Sequence, residues 1–422
     1  MPWYSIVDPS MERWLTLGVF VACFALILHR RVRIVYIALG GATLLILLGI
    51  VNPADAVLRM VDWNVLAIYW GYGVLAILLG ESGLPAKVAS WVLARIGTEK
   101  YALLFLCALA AFLSSFMANP VVVIMLVPLA IEMAERLRGS LFVYLVSLAI
   151  SSNVVTTVTM VADPPALILA MATGLEFLDF YWFKSRPGLG TLSIVGVIVA
   201  LLTLLWQFRH LNGRVALREE RIDVDYTPMG LLVVSVAFLA FVPMEHPGLV
   251  GLVLGIAALA VGHRFASRML READWETLIF LVGIFVVVGA VERVGLLRAF
   301  ADGLSRAALG GPTVYLLVLT WLSVALSSFI DNVPYTILMV PVCGYLAEAL
   351  GVSPWPFYFG MLVGTGIGGN ITPVGATANV IACGILEKRG YRIDLPAYMR
   401  ISVPFSVAAV LVTHILIQLF WL

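Results

Sequence analysis

Twelve apolar stretches run almost the whole length of this 422-residue sequence, and four of them do not fit the length of one membrane crossing. A helix needs about 20 residues to span a bilayer. The stretches at 14–28, 34–51, 63–80, 189–208, 228–242, 248–262, 275–291 and 401–421 each supply one crossing. Those at 101–134, 141–173, 312–347 and 355–386 are too long for one and too short for two, and they hold most of the Asn, Asp, Pro, Ser and Thr at membrane depth. Broken helices or re-entrant hairpins account for both their length and their polarity. Composition excludes the alternatives: 62% of residues are hydrophobic and 12% charged, against about 45–50% and about 25% in a soluble domain. A soluble enzyme and a disordered chain are ruled out. A net charge of +1 gives no field to attract nucleic acid. Cys23, Cys107, Cys343 and Cys383 lie in apolar runs with no CxxC spacing, so neither a disulfide framework nor a zinc site is expected. Residues 1–13 lack the basic start of a cleavable signal.

The chain repeats itself. The segment at 113–128 (LSSFMANPVVVIMLVP) returns at 326–341 (LSSFIDNVPYTILMVP), with 8 identities in 16 positions at an offset of 213. Asp62-Trp63 returns as Asp274-Trp275, and Thr157-Val158-Thr159 falls on Asn370-Ile371-Thr372. The expected fold is an all-α polytopic membrane protein with about 10 transmembrane helices plus two re-entrant hairpins, in two repeats at 1–210 and 227–422. Residues 211–226 form the linker between them. If 101–134 and 312–347 are hairpins that return to the side they entered, each half keeps five crossings, and an odd number inverts the second repeat. With the Arg30-Arg31-Val32-Arg33 turn in the cytoplasm, 19 of 26 Lys and Arg are cytoplasmic and 7 are outside, as the positive-inside rule requires. The linker is then cytoplasmic, both termini are outside, and the setting is a prokaryotic cytoplasmic (inner) membrane. Residues 85–97 and 292–311 read as amphipathic helices on the membrane surface.

Inverted repeats with interrupted helices are the architecture of secondary transporters, whose substrates meet half-helix ends near the midplane. Asn119-Pro120 and Asp331-Asn332-Val333-Pro334 lie midway along the two hairpins, where proline removes a backbone donor and breaks the helix. Two further breaks lie at 153–165 and 366–379. Read structurally, each break is a cap or kink; as a set at equivalent positions they point to a transport site.

The segments SSFIDNVPYTILMVPV and GGNITPVGATANVIA resemble the signatures of the arsenite-permease / NhaD antiporter family, within the larger ion-transporter superfamily that includes dicarboxylate carriers. The resemblance covers roughly residues 60–400. It implies a scaffold and a transport domain, elevator-type alternating access and a homodimer. It also implies substrate or ion contacts at Ser114, Ser115, Asn119, Asn153, Thr157, Thr159, Ser327, Ser328, Asp331, Asn332, Asn370, Thr372, Thr377 and Asn379. The first hairpin carries Ala118-Asn119 where antiporter-like members show Asp-Asn, and Ala166 stands where an Asn is usual, so the two half-sites differ.

Two acids lie at membrane depth, Asp163 and Asp331. An ionised Asp there costs about 2.5–3.5 kcal/mol, so Asp331 is expected to carry the coupling proton. Asp163 is either a second carrier or an N-cap for the helix after Pro164-Pro165. Glu81, Glu276 and Glu292 read as interfacial, and His414 as a packing residue. No Lys or Arg occurs in 101–135, 139–183 or 307–387, which disfavours a multiply charged anion. The expected activity is proton-coupled efflux of arsenite and antimonite, hence arsenic resistance. Sodium–proton antiport and anion uptake are the alternatives. Thiol coordination by Cys107, Cys343 or Cys383 is a minor option. No HExxH, GxSxG or P-loop is present, so no enzymatic activity or cofactor is expected, and any ATP drive would need a separate ATPase subunit.

Overall fold

A computed structural model describes residues 8–29, 31–137, 139–213, 221–242, 246–307 and 310–422. Arg30 of the basic turn and residues 214–220 of the expected linker lie outside the described residues. The described residues are nearly all helical, with one two-stranded hairpin among them pairing Trp182–Phe183 with Arg186–Pro187. The breaks fall where the sequence puts them. The first hairpin is Glu99–Ser114 followed by Asn119–Leu137, and the second is Pro312–Ser327 followed by Asn332–Leu350. The two broken helices are Leu141–Asn153 with Pro164–Thr173, and Trp355–Gly368 with Thr377–Lys388. The amphipathic arms are Leu84–Leu93 and Leu296–Arg306.

Among the described residues, five helices are long and apolar enough to cross alone: Trp63–Glu81, Leu189–Gln207, Trp275–Arg293, Asn332–Leu350 and Leu395–Trp421. A sixth candidate, Gly248–Val261 with His263–Glu272, bends by 89°. The other expected crossings fall on shorter or interrupted pieces such as Ile34–Leu47 and Thr227–Phe241. Asn332–Leu350, read from sequence as one arm of a re-entrant hairpin, has the length of a full crossing.

The repeat is visible in local geometry. Asp62 and Asp274 each cap the helix that follows, Asp62 accepting from the Asn64 and Val65 N–H groups and Asp274 from that of Thr277. Such caps satisfy donors that a helix start leaves open. The neighbouring indoles also correspond: Trp63 Nε1 donates to the Val57 carbonyl and Trp275 Nε1 to that of Leu270. Gly83 and Gly295, with φ of +71° and +72°, lead into the two amphipathic arms with a backbone that glycine adopts without steric cost.

The helices sort into two groups that do not follow the two halves of the sequence. An outer frame is built by packing Trp63–Glu81 on Gly248–Val261, and Trp275–Arg293 on Ile34–Leu47. Each long frame helix therefore packs on a helix from the other half. The contacts are backbone-close: a Cβ on Gly71 would stand 1.8 Å from the Gly251 oxygen, and one on Gly283 2.6 Å from the Ala38 carbonyl carbon. Small residues permit such approach inside a bilayer. The inner bundle holds both hairpins, both broken helices, Leu189–Gln207 and Leu395–Trp421, which pack chiefly on one another.

Candidate functional site

The four breaks converge. The backbone they expose is satisfied first, and by matching residues. Thr159 of the first broken helix donates its hydroxyl to the Ser115 carbonyl at the end of the first hairpin arm. Thr372 does the same to Ser328, at 2.5 Å. Ser115 and Ser328 turn their own hydroxyls back to the Ala111 and Val324 carbonyls, and Ser327 donates to the Thr365 carbonyl at 2.6 Å. Thr157 donates to Ser193 Oγ at 2.8 Å. Ser114 Oγ is buried with no hydrogen-bond partner.

Three asparagines tie the two broken helices together. Asn370 Nδ2 donates to the Ile150 carbonyl, and Asn379 Nδ2 to those of Gly369 and Thr372. Both amides are thereby oriented, and both present Oδ1 to Asn153, whose Nδ2 donates to each at 3.0 Å. Asn370 and Asn379 are fully buried. This network joins the first half of the chain to the second at the middle of the bundle.

Beside it lies a small polar cavity of about 50 Å³. The bundle lines it with Asn119, Asn153, Asp163, Asp331, Asn332 and Thr377, and the frame with Tyr69, Asp274 and Thr277. The cavity thus sits on the seam between frame and bundle. Asn119 Oδ1 is buried with no partner there, on a residue 4% exposed. The acids differ in what holds them. Asp331 Oδ1 accepts from the Val333 N–H at 3.0 Å and so caps the second hairpin arm. Asp163 stands at an N-cap position but its side chain does not cap. Instead its Oδ2 accepts from Asn332 Nδ2 and Thr156 Oγ1, each at 3.1 Å. The cap reading, attached to Asp163 in the sequence, describes Asp331. Asp274 stands at the exposed mouth, and Tyr69 donates its hydroxyl to Asp274 Oδ2 at 2.8 Å. Asp163 is close enough to both Asp331 and Asp274 to feel their charges.

Six of the expected site residues therefore line one cavity: Asn119, Asn153, Asp163, Asp331, Asn332 and Thr377. Ser115, Thr159, Ser327, Ser328, Asn370, Thr372 and Asn379 do not line it and bond backbone carbonyls of the broken segments and their neighbours instead, while Thr157 bonds the Ser193 hydroxyl. Among the described residues, no Lys, Arg, His or Cys lines the cavity; Cys343 instead sits against the Phe357 carbonyl. Asp274 and Tyr69 escaped the sequence reading. The signal for Asp274 was present in the repeated Asp-Trp pair, which served there only to mark the repeat. His414 is buried between Thr320 Oγ1 and Gln418 Nε2. Glu81 pairs with Arg268 at 2.8 Å, and Glu292 accepts from the Tyr345 hydroxyl.

Interrupted helices whose broken ends meet across two repeated halves, in a chain this apolar, define a secondary transporter. Residues 24–364 match the model of the citrate transporter family, and the chain belongs to that family, part of the ion-transporter superfamily. It is 30% identical over 412 residues to an uncharacterized transporter of Mycobacterium tuberculosis, covering 92% of this chain and 94% of that one. It is 28% identical to a 46 kDa membrane protein of Mycobacterium leprae, covering 97% and 99%. The fold is similar to the crystal structure of the YdaH transporter of Alcanivorax borkumensis, with a TM-score of 0.59 at 14% identity over 97% of this chain and 98% of that one. Membrane transport rather than enzymatic activity is thus the function class, and the relationship established is to the superfamily at large rather than to its arsenite-permease / NhaD branch.

Proposed function

We propose that the chain exchanges protons for a small inorganic solute that is neutral or cationic, with arsenous acid, and hence arsenite and antimonite efflux, as the first candidate. The observation that carries this is the cavity lining: three carboxylates, three asparagine amides and two threonine hydroxyls, with no basic side chain among the described residues. A tricarboxylate or dicarboxylate would enter against three acids with nothing to neutralise it, in a space of about 50 Å³. A neutral trihydroxy solute finds donors and acceptors in Asn119, Asn153, Asn332 and Thr377. Asp163 and Asp331 are assigned the coupling charge, since acids at membrane depth mark proton and ion pathways. Sodium–proton antiport is the second reading, favoured by the partnerless Asn119 Oδ1 beside the acids, because oxygen ligands suit hard cations. Alternating access then moves the bundle along the frame. The basic-residue asymmetry supports 1–210 and 227–422 as inverted repeats in the cytoplasmic membrane, both termini outside, with the Asp274 mouth on the cytoplasmic side. A homodimer joined through the frame completes the proposal.

The test uses respiring everted vesicles from cells lacking an arsenite pump. Arsenite uptake abolished by a protonophore, and lost in Asp163→Asn or Asp331→Asn, is the expected result. A Na⁺-triggered collapse of the proton gradient without arsenite uptake would favour the second reading. Citrate uptake without either would overturn both.

A further inference from the structure

The repeat gives the frame two carboxylates, and only one of them is at the cavity. Asp274 caps Trp275–Arg293 and lines the cavity mouth. Asp62 caps Trp63–Glu81 and lines two other cavities, of about 240 and 390 Å³. Their walls identify where Asp62 lies relative to the bundle. The smaller is shared with Ala170, Met171 and Gly174, the larger with Ile168, Ala172 and Ile337. Asp62 therefore stands beside the far end of Pro164–Thr173, the helix whose near end carries Asp163 into the central cavity. Ten residues of helix span about 15 Å. Space is present on the Asp62 flank, whereas the central cavity is nearly filled, and both flanks are walled by the same bundle helix against the same frame.

We propose that Asp62 is the second frame acid of the transport cycle: when the bundle shifts along the frame by about the length of Pro164–Thr173, Asn119, Asp163 and Asn332 leave Asp274 and meet Asp62. The inference rests on the reading of the cavity as the transport site. The Asn119 side-chain Oδ1, buried without a partner on the bundle side of the seam, is the group that travels with the cargo and finds a frame carboxylate opposite it in each position. The two positions are not equivalent. Tyr69 donates to Asp274, while the position related to Tyr69 by the Asp-Trp offset is Leu281. Asp62 thus lacks that phenol donor, and Arg59 and Arg293 line the larger cavity with it instead. The cargo meets a different setting on each side, so its half-saturation should differ between the two faces.

The experiment is mercury crosslinking in native membranes, in a background where the four natural cysteines are replaced by Ala. Ala118→Cys is paired with Asp274→Cys, which shares its cavity, and separately with Asp62→Cys. Crosslinking of both pairs is expected. Crosslinking of the Asp274 pair alone, or of neither, would overturn the proposal. In parallel, Asp274→Asn and Asp62→Asn keep a capping oxygen and remove only charge. Each should raise the half-saturation for the transported solute about 10-fold or more from one vesicle face and leave the opposite face within about 2-fold, the two variants affecting opposite faces. Equal effects on both faces from either variant would refute it. If the wild-type chain moves neither arsenite nor Na⁺, the functional reading fails while the crosslinks still decide the placement of Asp62.

Discussion

Asn153 is the donor on which two other asparagines depend, and its removal has a calculable effect. In Asn153→Ala, Asn370 Oδ1 and Asn379 Oδ1 both lose their partner. Neither amide can turn to compensate, because Asn370 Nδ2 is held by the Ile150 carbonyl and Asn379 Nδ2 by the Gly369 and Thr372 carbonyls. Hydrogen bonds between membrane helices average about 0.6 kcal/mol when the freed groups find new partners. An acceptor left buried and unpaired costs about 1–3 kcal/mol. With both side chains fully buried, the second case applies twice, giving about 2–4 kcal/mol after local relaxation. For a chain of 422 residues that lowers the melting midpoint by about 2–5 °C. The assay is the fraction of detergent-solubilised protein that stays monodisperse after heating, read by fluorescence-detected size exclusion. The Asn153→Ala, Asn370→Ala pair should lose less than the sum of the single variants, since groups in one network couple. A midpoint within about 1 °C of wild type for Asn153→Ala, or strict additivity, would refute the network as described.

Thr159→Val and Thr372→Val each orphan a hairpin carbonyl, that of Ser115 or Ser328, and should each cost about 1–3 kcal/mol in the same melting assay; equal melting would contradict the role. Gly71→Ala places a Cβ 1.8 Å from the Gly251 oxygen, so the frame crossing must open; the expected result is loss of most monodisperse protein on extraction, and normal yield would argue against the close crossing. Replacing Cys107, Cys343 and Cys383 together by Ala should leave arsenite half-saturation within about 2-fold, because no thiol reaches the cavity; a larger rise would restore thiol coordination.

Much of this was legible in the residues. Proline and the Ser-Ser and Asn-containing segments marked all four breaks, because helix-breaking chemistry is local and needs no knowledge of the partner. The division of labour within the site was not legible. Thr159 and Asn332 are equally polar in sequence, yet one supports a carbonyl behind the cavity and the other faces into it, a distinction made by how the helices pack. The capping roles of Asp163 and Asp331 were hidden for the same reason: Thr156 bonds Asp163 from seven residues away in the same break, but Asn332 reaches it only when the two halves come together. Asp274 stands at the very start of its apolar stretch, where nothing in the residues themselves brings it to the depth of a site. The crossing of the frame helices brings that helix start to the level of Tyr69, six residues into the other frame helix.

The interleaved frame has a consequence for biogenesis. Among the described residues, Trp63–Glu81 packs most extensively on Gly248–Val261, and Ile34–Leu47 on Trp275–Arg293. While the first 200 or so residues leave the ribosome, the surface around Gly71 and Ala38 has no mate from its own half. The early half must wait in the insertion machinery, or in lipid, with those narrow faces open until its successor arrives. Two fragments cut at the linker and expressed separately would each contribute half of both crossings, so they should be recovered together or degraded together.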